Sequence, residues 1–162
     1  MTDNIIKVGM ADVNFTKHPG VLVTLGLGSC VGIALYDKKM KMIGLAHIML
    51  PWSHQAKNNA NRAKFADTGI MLLLEKMSEA GASVNNMVAK LAGGAQMFTF
   101  SGSSDMIRIG QRNVEATKAV LQQLNIPVIS EDTGGNYGRT IEFFSEDGRL
   151  MIKTIGHGIK YI

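Results

Sequence analysis

The apolar residues of this chain fall into short blocks, and the spacing within each block separates strand from helix. Val21 to Leu25 is apolar and rich in β-branched side chains, as a half-buried strand requires. Val31 to Tyr36 and Met42 to Leu50 flank the polar tract Asp37-Lys38-Lys39, which predicts a β-hairpin. Val88 to Leu91 and Met97 to Phe100 flank Gly93-Gly94, and Val128 to Ser130 follows Pro127; each reads as a strand. Arg139 to Phe144 and Leu150 to Thr154 enclose Ser145-Glu146-Asp147-Gly148, a second hairpin signal.

Two blocks have the longer period. Ala63, Ala66, Ile70, Leu73, Leu74 and Met77 recur on one face of a helix, with Lys64, Asp67, Glu75 and Glu79 off that stripe. Gly81 is placed to stop this helix in the left-handed conformation. Val114, Thr117, Leu121 and Leu124 mark a second helix, with Asn125 as left-handed cap and Pro127 blocking continuation. The order of elements predicts an α/β sandwich in which helices cover a mainly antiparallel or mixed sheet. No repeat, linker or low-complexity tract interrupts it, so a single domain over residues 1–162 is expected.

Composition narrows the picture. With 162 residues, 46% hydrophobic and 19% charged, the chain can bury a proper core. No stretch approaches the ~18 consecutive apolar residues of a membrane span. The segment MTDNIIKVGMADVN lacks the basic flank and apolar run of a signal peptide, so cytoplasmic residence without membrane insertion is expected. One cysteine makes no internal disulfide, and His18, His47, His54 and His157 show no paired metal spacing. Neither a metal nor a cofactor is expected. The net charge of +4 is scattered, which favours acidic protein partners mildly and gives no footprint for nucleic acid. Two glycine-rich segments fail as phosphate loops. Gly26-x-Gly28 has Val31 where a dinucleotide fingerprint needs glycine, and Gly134-Gly135-Asn136-Tyr137-Gly138-Arg139-Thr140 lacks the lysine and spacing of a P-loop.

The candidate chemistry centres on Cys30, the one cysteine, in Leu25-Gly26-Leu27-Gly28-Ser29-Cys30. A free cysteine is more commonly a small buried apolar side chain. Here a strand runs into a glycine turn that can present a thiol, and backbone N–H groups around Gly28, Ser29 and Cys30 are placed to hold an oxyanion. His47 lies in the apolar run Gly44 to Pro51, where an imidazole must find partners or face an open cleft, the ordinary alternative being a satisfied core histidine. A hairpin with its turn near residue 39 brings residue 31 opposite residue 47, and so puts His47 beside Cys30 as a thiol–imidazole pair. A third group has to orient the imidazole. No acid occupies an obvious position, and Thr24 on the preceding strand offers a hydroxyl or a carbonyl.

These residues resemble the CheD family, the chemoreceptor glutamine deamidases. The resemblance runs from Val8-Gly9-Met10-Ala11-Asp12 through Thr24 to Cys30, Ala46-His47-Ile48-Met49-Leu50-Pro51, Lys64-Phe65-Ala66-Asp67 and Lys90 to Ala95. It continues through Ile109-Gly110-Gln111-Arg112-Asn113 to Gly134–Thr140, and so covers almost the whole chain. It implies a fold like the catalytic domain of the cytotoxic necrotizing factors and a site of Cys30, His47 and Thr24. It also implies a protein-glutamine glutaminase acting on the cytoplasmic helices of methyl-accepting chemoreceptors; a monomer is expected. Glutamate methyl esters are a second substrate class that the resemblance implies, and a CheC-type phosphatase is a second partner. The alternatives are a non-catalytic chemotaxis adaptor regulating such a phosphatase, and a general cysteine peptidase.

Overall fold

The structure, a computed structural model, describes residues 4–97 and 108–162. Among the described residues, ten strands form two five-stranded mixed sheets, and two helices cover one of them. The first sheet contains β1 (Asn4–Lys7), β3 (Gly20–Leu27), β8 (Arg139–Phe144), β9 (Leu150–Thr154) and β10 (Gly158–Tyr161), in that order. The second runs β2 (Asp12–Lys17), β5 (Met42–Ile48), β4 (Val31–Asp37), β6 (Met87–Gly93) and β7 (Val128–Thr133). Among the described strands, only β1–β3 and β6–β7 pair in parallel.

Helices α1 (Ala66–Glu79) and α2 (Ile109–Gln123) lie on the outer face of the second sheet. The result is three layers, helices on sheet on sheet, with an apolar core in each of the two gaps. Ile33, Leu35, Ala46 and Ile48 pack against Ile70, Leu73 and Met77 of α1 and Val120 and Leu121 of α2. Leu22, Leu27, Ile141 and Phe143 of the first sheet pack against Ala34, Tyr36, Ile43 and Leu45 of the second. The β4–β5 hairpin is therefore the middle layer, and all fourteen of its strand residues are buried. That is why it reads in the sequence as continuous apolar runs and not as an alternation.

Both expected helices and both expected hairpins form. The first helix starts at Ala66, after a 3-10 turn at Arg62–Lys64 that takes up the amino-terminal end of the apolar stripe. Gly81 and Asn125 take positive φ after the two helices, at 108° and 57°. The expected single covered sheet is in fact two stacked sheets, because β3, β8 and β9 pair with one another and not with β4–β7, a long-range choice that the spacing along the chain does not encode. β10 is exposed throughout its length. Of the strand expected over Met97 to Phe100, residues 98–100 lie outside the described part, and Met97 is in irregular chain.

Candidate active site

Register decides which side chains meet. The β4–β5 hairpin pairs Gly32 with His47 and Val31 with Ile48, one residue away from the expected 31–47 pairing. The turn causes the difference. Asp37 Oδ1 accepts the N–H of Met40 at 3.0 Å, and Lys41 adopts a φ of 49°, so Asp37 and Met42 close a four-residue connection. A one-residue change of register moves a side chain to the opposite face. With the expected pairing, His47 would share a face with Val31 and point to the helices. In the observed register His47 shares the face of Gly32, and so of Cys30 two residues earlier, toward the first sheet.

Thr24 reaches the same gap from the first sheet. Its strand alternates inward at Leu22 and Thr24, then shifts register between Thr24 and Leu27, where Gly26 takes a φ of 71°. The bulge turns Leu25 and Gly26 outward and returns Leu27 to the core. The Thr24 hydroxyl donates to the carbonyl of Val8 at 2.7 Å. A hydroxyl has a single proton, so its 2.7 Å contact with His47 Nδ1 is one in which the ring N–H donates to the threonine oxygen. With its proton on Nδ1, neutral His47 carries a lone pair on Nε2. That nitrogen is buried and has no hydrogen-bond partner among the described residues.

Cys30 leaves the turn with 7% of its surface exposed. The turn is held from two sides. The Cys30 carbonyl accepts the N–H of Gly94, and the Gly28 carbonyl accepts that of Ala95, both at 2.8 Å. Gly93, at a φ of 109°, approaches the Cys30 carbonyl so closely that no side chain fits there. From the helix layer, Nδ2 of Asn113 donates to the carbonyls of Ser29 and Met49, each at 2.9 Å. The N–H groups of Ser29 and Cys30 donate to no other described residue.

The pair is neutral at rest. Burial pushes the Cys30 thiol up, opposed in part by its own backbone N–H. Burial also lowers His47 to about 4, so at neutral pH the imidazole is free base. The site is not the open cleft that a presented thiol suggests. A Cβ on Gly28 would lie 3.2 Å from the Met97 side chain, which flanks the turn. Two surface hollows of about 620 Å³ lie elsewhere, one beside Leu25 and Tyr137, the other beside Asn125 and Pro127.

Three contributors escaped the sequence reading. Val8 supplies the acceptor that fixes the Thr24 proton. Asn113 signals itself only as a polar residue one turn before Thr117 on the buried face of α2. Arg139, also buried, donates from Nη1 to the carbonyls of Gly134 (2.9 Å) and Gly93 (3.3 Å), and from Nε to Asp132 (3.1 Å). It thereby ties the glycine-rich loop of residues 134–138 to the strand end behind Cys30. Among the described residues no three His, Cys, Asp or Glu side chains converge as a metal site. No described helix is long and apolar enough to cross a membrane.

A buried imidazole with one nitrogen tethered, on the face that carries a lone thiol, defines a candidate site of the cysteine–histidine class. Comparison with known proteins takes the classification further. The family model described as CheD, chemotactic sensory transduction, matches residues 49–154. A probable chemoreceptor glutamine deamidase CheD from Caldanaerobacter subterraneus subsp. tengcongensis is 61% identical over 162 residues, covering 100% of both chains. One of the same description from Lachnoclostridium phytofermentans is 57% identical over 98% of each chain. The chemoreceptor glutamine deamidase CheD of Halalkalibacterium halodurans is 53% identical over 99% of each. The chain belongs to the CheD family. A crystal structure of the hypothetical protein YfiH of Bacillus licheniformis aligns with 81% of this chain and 59% of its own at 16% identity. Its TM-score is 0.48, a likeness too slight to bear on fold or function.

Proposed function

We propose that this protein is a chemoreceptor glutamine deamidase, in which Cys30 is the nucleophile, His47 the general base and Thr24 the residue that orients the imidazole. The observation that carries the reading is the unpartnered Nε2 lone pair of His47, made available because Thr24 occupies Nδ1–H, on the face shared with Cys30. The substrate class rests on the family and on the names of its closely similar members.

The chemistry starts from the neutral pair. As Sγ attacks the side-chain carbonyl carbon of a substrate glutamine, Nε2 takes the thiol proton. The oxyanion is received by the N–H groups of Ser29 and Cys30, which donate to no other described residue, in the turn that Gly28 allows. Protonated His47 gives its proton to the departing nitrogen, which leaves as ammonia. Water, deprotonated by His47, then attacks the thioester, releases glutamate and returns the proton to sulfur. Glutamate methyl esters fit the same scheme with methanol leaving. The narrow exposure of Cys30 favours a slender side-chain amide over a peptide bond, whose flanking backbone would have to enter too. Cytoplasmic action and a CheC-type partner belong to the same proposal and rest on the family alone.

The test is mass spectrometry and ammonia release on a chemoreceptor cytoplasmic fragment. The native protein is expected to convert glutamines to glutamates without cleaving the backbone, and Cys30→Ala to convert none. Ammonia released by Cys30→Ala at the native rate would sink the mechanism.

A further inference from the structure

Asn113 makes no contact that the scheme above uses. It sits on the buried face of α2, fully covered, and its Nδ2 spends both hydrogens on backbone carbonyls, those of Ser29 and Met49. One carbonyl immediately precedes Cys30 and the other lies two residues past His47. Helix residues at such positions are normally apolar, like Ala116 and Val120 on the same face. A buried amide here costs stability unless its bonds matter, and its Oδ1 has no partner among the described residues.

The geometry points to Asn113 as a positioning residue for the oxyanion site, an inference that rests on the deamidase reading. A peptide unit is planar and trans, so its C=O and the following N–H point in opposite directions. Drawing the Ser29 carbonyl toward α2 therefore turns the Cys30 N–H away from the helix layer. That direction is toward the first sheet, the side on which Cys30 and His47 face Thr24. The second bond, to Met49, anchors the amide to the chain that carries His47, so it cannot follow the Ser29 carbonyl if that peptide rotates. Asn113 thus holds the 29–30 peptide in the orientation that receives the oxyanion, without touching substrate.

Iodoacetamide separates this role from a general structural one. Alkylation needs the thiol and its base but forms no oxyanion, whereas amide hydrolysis needs all three. In Asn113→Ala, kcat on a chemoreceptor fragment is expected to fall roughly 10- to 100-fold, part of what losing an oxyanion donor costs. KM and the rate of Cys30 alkylation should stay within about threefold of native, since neither depends on the oxyanion. Asn113→Leu keeps the volume without any donor, so it repeats the test if Asn113→Ala does not fold, and it should show the same split. A kcat within about threefold of native overturns the inference, because a donor-orienting residue cannot be removed at that cost. Parallel loss of kcat and alkylation also overturns it, in favour of a structural role. If Cys30→Ala is inactive while Asn113→Ala is fully active, this inference alone fails. If Cys30→Ala is itself active, the deamidase mechanism fails and this inference falls with it.

Discussion

The hydroxyl of Thr24 does two jobs with one proton, and the tautomer of His47 follows from that count. Thr24→Val keeps the shape but strands the Val8 carbonyl and the Nδ1–H. We expect it to lose about 1–3 kcal/mol of stability and about 10- to 100-fold in kcat, with Thr24→Ser restoring most of both. Denaturant titration beside a deamidation assay checks this, and a fully active Thr24→Val would remove Thr24 from the mechanism. His47 makes a second residue-scale prediction. Its pKa is about 4 in the folded protein against an ordinary 6.5, so as pH falls below 6.5 the unfolded chain binds a proton that the folded one refuses. Its contribution is fully present above pH 6.5 and falls until pH 4, by at most about 3 kcal/mol. Urea titrations from pH 7.5 to 4 should show this loss, and His47→Gln should flatten it. None of these couplings was legible in the sequence. Thr24 stood out as a candidate, but its bonds to Val8 and His47 did not, because its pairing with His47 joins side chains from two different sheets.

At the scale of elements, the β4–β5 turn matters most. A turn counted from residue 39 places Cys30 and His47 close in space yet on opposite faces. The four-residue connection closed by Asp37 and Lys41 corrects the phase. Counting residues predicts that strands meet, but turn geometry sets which face each side chain occupies. The end of β6 is the second critical element. Gly93 combines positive φ with close approach to the Cys30 carbonyl, so Gly93→Ala must displace backbone on one side or the other. We expect a loss of about 1–3 kcal/mol and a slower reaction of Cys30 with iodoacetamide, measured by thermal melting and by alkylation rate. Native stability in Gly93→Ala would contradict the close approach of Gly93 to the Cys30 carbonyl.

At the scale of the whole molecule, the site lies in the gap between the two sheets, so the core in that gap also sets its geometry. Phe143, fully buried opposite Tyr36, with ring centroids 6.5 Å apart, is a main support of that gap. Phe143→Ala should cost about 3–5 kcal/mol and reduce deamidation by the molecules that remain folded, because the spacing of Thr24 on one sheet from His47 on the other depends on the same layer. Retention of full activity per folded molecule would show that the site does not depend on inter-sheet packing. The sequence by itself determined the local periods, the two hairpins, both helices with their left-handed caps at Gly81 and Asn125, and the presence of a thiol and an imidazole near one hairpin end. Those are short-range properties, written in spacing, turn residues and caps. Only the tertiary structure decided that there are two sheets, that His47 faces Cys30's side of the hairpin, and that Val8, Thr24 and Asn113 converge there. Each of those depends on contacts between segments distant in the chain, and the side chains and carbonyls that make them leave no period to read.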